Sequence, residues 1–547
     1  MNISPNWLRE FVPLRVDYHR LAEDLTHAGI AVEGISGEGA ATIFEMEITT
    51  NRVDAMNHYG IARECSAIYD LDLKPIVPKL PSVEHAPPFL IEILEPDLCA
   101  RYTARVIRGV RIDKSPDYIA ERLLIEDHHG INNVADATNY TLMEMGHPTH
   151  AFDLDLLEGG KIVVRRARPG EKLKTLDGVE RQLHPDDLVI ADAVKPVALA
   201  GVMGGWDSMI TSKSRNVLIE SAWFDPASVR RTARRHGMHT DASHRFERGA
   251  DWGATPLACD RVAELILEAG GGKLSGYNDA VVRSLHRSPI QLARTEIRRI
   301  LGQEIPDVDA ARILKRLGFV PTSKRSGSAA ASGGSRTAVA EQPDVYNVII
   351  PTWRMDVERE IDLIEEIARV YGFNNFSNTL PAFSGIVVEQ PQAVAESKIR
   401  ARLLALGYDG GISPTFISSA DAQMFAQAEP VQLDNPLSEE APLLRSSLLP
   451  GVLNMLEWNF NRGTSDLRLF EMGNVFAKKG DRVDEHEHLC FAATGTAGEI
   501  ALDQKPREMN FFDLKGDTES LLSLFAAESL RFEAPGSSYL HPGRSTK

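Results

Sequence analysis

The sequence predicts an α+β fold divided into several domains, and three features lead to that reading. Helical periodicity and two-residue alternation are mixed along the chain rather than one excluding the other. A Pro-rich connector, KPIVPKLPSVEHAPP, and a Ser/Gly/Ala-rich run, TSKRSGSAAASGGSRTAVAEQ, interrupt the patterned stretches. The length, 547 residues, suits roughly three to five domains.

In the first stretch, to about Val77, Asp17 to Ala28 reads as an amphipathic helix with Leu21, Leu25 and Ala28 on one face. FEMEITTNR reads as a half-buried strand, because Phe44, Met46 and Ile48 alternate with Glu45 and Glu47. Beyond the connector, Ala100 to about Tyr277 forms a large mixed segment. IVVRRA, LVIAD and NVLIESA are its strands, LDGVE and DPAS its turns, and Pro116 to Glu126 and Ala254 to Glu268 its helices. Three glycines, 270 to 272, close it. A compact segment from about Pro289 to Asn378 has helices near Arg294 to Leu301 and Asp309 to Leu317 and a strand YNVIIP. The Ser/Gly/Ala run inside it cannot bury apolar area and is expected to be a disordered loop. From about Gln390, a helix at Ala393 to Leu406 precedes strands in LRLFEMGNVF and LCFAATG.

Sixty Lys and Arg against seventy-seven Asp and Glu leave a net charge of −17, which argues against coating nucleic acid by bulk charge but leaves room for a local basic patch. There is no apolar run long enough to span a bilayer, and MNISPNWLREFV lacks the basic-then-apolar order of a signal peptide, so a cytoplasmic protein is expected. Cys65, Cys99, Cys259 and Cys490 are too scattered for a disulfide framework or a Cys-based zinc site.

PTWRMDVEREIDLIEEIARVYGF carries the densest chemistry. Helical spacing places Asp362, Glu365 and Glu366 at i, i+3 and i+4, with Asp356 just upstream and a core stripe of Ile361, Ile364, Ile367 and Ala368. Hard cations such as Mg²⁺ take oxygen clusters of this kind; acids at a helix start also complement its dipole and face solvent, which is the commoner arrangement. INNVADATNYTLMEMGHPTHAFD crowds Asn132, Asn133, Asp136, Thr138, Asn139, His147 and His150 into a short span, fit either to line a polar pocket or to cap a helix. In ALAGVMGG, Gly201, Gly204 and Gly205 let backbone approach a ligand. Glu220 alternates with Ile219 and so projects to the opposite face of its strand, into a pocket or into solvent. Arg230, Arg231, Arg234, Arg235, Arg245 and Arg248 can meet phosphates or the chain's own carboxylates. His486, His488 and Cys490 share one face of a strand but lack a fourth ligand, and the HxxH of His147 and His150 lacks even a third.

Taken in order, NWLREFV, ITTNRVDAMNHYGIARE, INNVADATNYTLMEMGHPTHAFDLD, VVRRARPGEKLKTLDG, PVALAGVMGG, NVLIESAWFDPASVRRTARRHGMHTDASHRFERG, PTWRMDVEREIDLIEEIARVYG, DNPLSEEAPLLRSSLLPGVL, LRLFEMGNVF and FFDLKGD resemble the β subunits of bacterial phenylalanine-tRNA ligases over nearly the whole chain. The resemblance implies an N-terminal α/β module at 1–85, an editing domain of mixed strands and helices at 98–277, and a winged-helix-like module at 288–380 with a disordered loop at 322–342. It further implies a class II synthetase catalytic-like domain at 390–547 that has lost its active-site residues. It implies a separate catalytic α subunit, bound in an α2β2 heterotetramer, that holds ATP and phenylalanine and charges tRNA(Phe). On this chain it implies a pocket that hydrolyses Tyr-tRNA(Phe), built from Thr138, Asn139, His150, Ala200, Gly201, Gly204 and Glu220. Glu220 would take the tyrosine hydroxyl, and His150 with Asn139 would orient the ester or its water. A Mg²⁺ ion shared with the α subunit is implied at Asp356, Asp362, Glu365 and Glu366. Two departures stand out. Only VEGISGEGAATI occupies the place, near 32–43, of an OB-fold tRNA-binding insertion, and the chain stops at LHPGRSTK, before the family's anticodon-binding domain. These departures leave open a scaffold that lacks productive tRNA docking.

Overall fold

The protein is described by a computed structural model covering residues 1–82, 87–285, 287–323, 345–382, 384–426, 428–497, 507–525, 532–533, 539–541 and 545–546. It divides into two compact units, Met1–Thr379 and Leu380–Lys547.

The first unit begins with a three-stranded sheet in which Ile43–Glu47 lies between Asn2–Ile3 and Ala31–Ser36. Residues 37–42 alone join the last two strands in sequence. The helix Tyr18–His27 starts where Asp17 caps it, accepting the Arg20 N–H at 3.0 Å. Its Leu21 and Leu25 pack with Phe44 and Met46, as the periodicities require.

Residues 90 to 281 build two large sheets and a two-stranded one, Lys172–Lys174 with Glu180–Gln182. The four-stranded one is antiparallel and ordered Lys273–Val281, Cys99–Arg108, Asn216–Phe224, Thr149–Asp153. One face is covered by helices Asn133–Met145 and Thr255–Gly270, which pack against Ile107, Val217 and Ile219. The other face meets a five-stranded sheet through Tyr102, Leu218 and Ala222. That sheet takes in Leu90–Ile93, parallel to Lys161–Arg166, so the Pro-rich connector ends in a strand.

The compact segment that follows has three antiparallel strands, Ile290–Ala293, Val345–Ile349 and Val320–Ser323, under helices Asp307–Arg316 and Glu360–Tyr371. Thr322 and Ser323 end a strand, and residues 324–342 of the loop expected at 322–342 lie outside the described residues. The expected stripe of the last helix is turned. Ile361 is 38% exposed and Leu363 is fully buried with Ile364 and Ile367. That rotation carries Glu366 inward.

In the second unit the long hairpin Leu467–Lys479 with Arg482–Thr494 pairs with Asp409–Gly410. Leu403, Tyr408, Phe470 and Leu521 form its core. Among the described residues no helix is long and apolar enough to cross a membrane.

Candidate functional site

Strand register assembles the pocket in the first unit. Glu220 lies directly opposite His150 on the neighbouring strand, so both side chains leave the sheet on one face. Gly204 pairs with Ala198 in the other sheet and backs onto the His150 ring, where a Cβ would fall 2.4 Å from Cε1. Gly201 turns the chain between those strands at φ +70°. The result is a narrow inner chamber of about 70 Å³, lined by His150, Gly201, Gly204 and Glu220, beside an outer one of about 440 Å³ lined by Thr138, Asn139, His150 and Gly204. Six of the seven residues expected in an editing pocket therefore line these two chambers. Ala200 does not line either chamber and is buried at 2% exposure in the neighbouring core.

Burial sets the chemistry. It pushes the Glu220 carboxyl up to about 8, against a smaller opposing effect from the Tyr102 hydroxyl, so the group is neutral over most of the range below pH 8. Burial pushes His150 down to about 4, leaving a neutral imidazole whose Nε2 is unpartnered. The solvated reading of Glu220 is thereby replaced, since the residue is 6% exposed. Thr149, whose buried Oγ1 has no partner, and Met203 also line both chambers. Tyr102 sits on the same sheet face as Glu220, and its buried hydroxyl is the group that meets the Glu220 carboxyl. The alternation in CARYTARVIR holds the signal for Tyr102; nothing local marks Thr149.

Glu220 folds with a carboxyl pKa raised from 4.5 to about 8. Between those values the folded state binds more protons than the unfolded one, so stability falls as pH rises through the window. Glu220→Gln removes this penalty. Its stability relative to the parent should be unchanged at pH 4 and should grow by about 2–4 kcal/mol by pH 8. Urea unfolding at several pH values checks this, and a pH-independent difference would contradict it.

The two histidines of HPTH separate. His147 is 1% exposed and faces a different cavity, so the pair does not form a metal site. The six arginines divide as well. Arg235, Arg245 and Arg248 pair with Asp187, Asp241 and Glu247, whereas Arg230, Arg231 and Arg234 are exposed.

The four carboxylates expected to hold Mg²⁺ do not converge. Asp356 is held by Arg354 through both oxygens, at 2.9 and 2.8 Å. Glu366 is 3% exposed and enclosed by Arg354 and by Arg369, whose Nε lies 2.8 Å away. Burial pushes the Glu366 carboxyl up, but the charges of Arg369 and Arg354 outweigh that and hold it below the ordinary range. Asp362 accepts the Glu358 and Arg359 N–H groups at 2.9 and 2.7 Å, and Glu365 is exposed. Two of the four are already neutralised by guanidinium, a third caps a helix, and a divalent ion would stand among like charges. The donor set does not fit the metal. Among the described residues no group of three or more His, Cys, Asp or Glu side chains is arranged to hold one.

The network runs further. Arg369 also binds Glu64 at 2.6 Å, and Glu64 binds Arg52, which holds Asp54 at 2.9 and 3.1 Å. A buried chain of alternating charge thus joins the N-terminal module to the helix Glu360–Tyr371. Millimolar Mg²⁺ or EDTA should move the thermal midpoint of this chain by less than about 1 °C, because a ligand stabilises only what it binds. A Mg²⁺-dependent rise of several degrees would restore the cation reading.

Comparison with known proteins gives three family matches. Residues 98–271 match a B3/4 domain, residues 290–373 a tRNA synthetase B5 domain, and residues 377–547 the phenylalanyl tRNA synthetase beta chain CLM domain. A phenylalanine-tRNA ligase beta subunit from Geobacter metallireducens is 39% identical over 521 residues, which are 92% of this chain and 62% of that protein. One from Anaeromyxobacter dehalogenans is 40% identical over 524 residues, with the same coverage. The chain therefore spans about 62% of the length of these relatives. An N-terminal fragment of the phenylalanyl-tRNA synthetase beta-subunit from Pyrococcus horikoshii covers 68% of this chain and is itself 99% covered, at 14% identity and a TM-score of 0.37, too loose a likeness to define the fold.

Proposed function

Because the chain belongs to the phenylalanine-tRNA ligase β-subunit family, we propose that it works as such a subunit in the cytoplasm and clears mischarged Tyr-tRNA(Phe) at the two-chamber pocket. In this reading a class II α subunit, joined to it in an α2β2 assembly, binds ATP and phenylalanine and charges tRNA(Phe). A synthetic pocket shaped for a hydrophobe rejects an added hydroxyl only about a hundredfold, so a second sieve is warranted.

The observation that carries the proposal is the pairing of Glu220 at the inner chamber with His150 at the junction of both chambers. The tip of a tyrosine ring would enter the inner chamber. Its hydroxyl would exchange hydrogen bonds with the neutral Glu220 carboxyl, which can donate and accept. Phenylalanine would leave the Glu220 carboxyl with Tyr102 but without the substrate's bond, and the cost of that unmade bond is the source of selectivity. The ester would lie in the outer chamber, where Asn139 orients it and the unpartnered Nε2 of neutral His150 accepts a hydrogen bond or a proton from water. The ribose hydroxyl of the substrate is an equally good activator of that water. The exposed Arg230, Arg231 and Arg234 offer charge for an RNA backbone.

The test is deacylation of Tyr-tRNA(Phe) and Phe-tRNA(Phe) by the chain in complex with an α subunit. Faster clearance of the tyrosyl ester supports the proposal. Equal, background rates for both would reduce the chain to a scaffold.

A further inference from the structure

A second cavity, of about 220 Å³, lies where the N-terminal module, the end of the helix Asn133–Met145 and the loop before the helix Glu360–Tyr371 come together. Its floor is kept open by glycines. A Cβ at Gly146 would fall 2.5 Å from Asn57 Nδ2, and one at Gly253 would fall 2.4 Å from Thr352 Oγ1.

Arg63 faces this space from the end of the buried charge network, and its position there is unlike that of Arg52, Arg354 and Arg369. Each of those holds a carboxylate in direct contact. The nearest carboxylate to Arg63 is Asp54, at 3.8 Å, and both Asp54 oxygens are already bound to Arg52. The Arg63 side chain is 11% exposed, its Nη1 has no hydrogen-bond partner, and burial lowers its pKa. Its guanidinium lies 4.3 Å from the Trp353 ring centre and 5.6 Å from that of Tyr59. Trp353 lines the same cavity with its buried Nε1 unpartnered, and the buried His147, which meets the Ala222 backbone, lines it as well.

The cavity thus collects two donors that lack acceptors, Arg63 Nη1 and Trp353 Nε1, beside two aromatic rings, and the Arg63 cation has only a long ion pair, 3.8 Å to an Asp54 already held by Arg52. We propose that it binds a compact monocarboxylate with a flat apolar body, its carboxylate on Arg63 and its ring beside Tyr59 and Trp353. A charge-assisted bond to a guanidinium is the strong contact such a site can make. A dianion would collide with Asp54 and Asp251, which also line the cavity. The volume is below the ~300 Å³ of pockets for drug-sized ligands, which limits the occupant to a small molecule. This site is distinct from the two-chamber pocket, shares only the HPTH segment with it, and stands whether or not that pocket hydrolyses an ester.

Benzoate and its neutral analogue benzyl alcohol are the probes, titrated into the full chain while the indole N–H resonances are followed, with Trp353 assigned by Trp353→Phe. Benzoate should shift the Trp353 resonance in a saturable way and bind at least tenfold more tightly than benzyl alcohol. Arg63→Met keeps the aliphatic stem over Trp353 and leaves the Arg52–Asp54 pair intact; it should weaken benzoate at least tenfold and leave benzyl alcohol unchanged. Glu220→Gln, in the other pocket, should leave benzoate binding as it was. No shift at Trp353, equal affinity of the two probes, or benzoate affinity lost in Glu220→Gln but kept in Arg63→Met would each overturn the proposal.

Discussion

Glu64→Ala is expected to destabilise the first unit by about 3–5 kcal/mol, the largest stability change among the substitutions considered. Glu64 is 1% exposed and sits between two guanidinium groups, Arg52 and Arg369, so its removal strands two buried cations rather than one. Arg369 also reaches the Ala28 carbonyl at 3.3 Å, which ties the effect to the packing of the N-terminal module. The pairs themselves need not be strongly favourable, because desolvation consumes much of the attraction; the cost arises when one partner goes and the other stays. Replacing Glu64 and Arg369 together by Leu and Met should therefore cost less than the sum of the single changes. Glu365→Ala, on the exposed side of the same helix, should stay within about 0.5 kcal/mol. Urea unfolding of the parent, Glu64→Ala, Glu365→Ala, Glu64→Leu, Arg369→Met and the double variant decides this. A Glu64→Ala loss below about 1 kcal/mol would show that the network is not a structural clasp.

The second large effect is on hydrolysis. His150→Ala should slow clearance of Tyr-tRNA(Phe) by about 10²-fold, the low end of what a positioned acid–base group contributes. Gly204→Ala provides a different route to the same loss: its Cβ would fall 2.4 Å from His150 Cε1 and 2.5 Å from Nε2, so the ring must leave its place while its chemistry is kept. Both variants should leave phenylalanine activation by the α subunit unchanged. Full hydrolysis in His150→Ala with a loss in Gly204→Ala would point to the ribose hydroxyl as activator and to His150 as filler. Loss of activation in both would place the pocket in the wrong reaction.

Much of the fold was legible because it depends on neighbours in the chain. Asp17 before a helical period, the even alternation of FEMEI, and the helix expected and found at Arg294–Leu301 follow from backbone geometry within a few residues. The order of motifs was enough to indicate the family, and the alternation around Ile219 placed Glu220 on the correct face. Other properties depend on residues far apart in sequence. Burial of Glu220 comes from the five-stranded sheet that closes over its face, and no local pattern distinguishes that from solvent. The acidic helix looked like an oxygen cluster at i, i+3 and i+4. Packing turned it, and Arg369 meets Glu64 across 305 residues of sequence. The separation of His147 from His150, and the stranding of Arg63 beside a cavity, have the same origin. A side chain's period along its own element is encoded locally, whereas its dielectric surroundings and its counter-charges are supplied by whatever the rest of the chain packs against it.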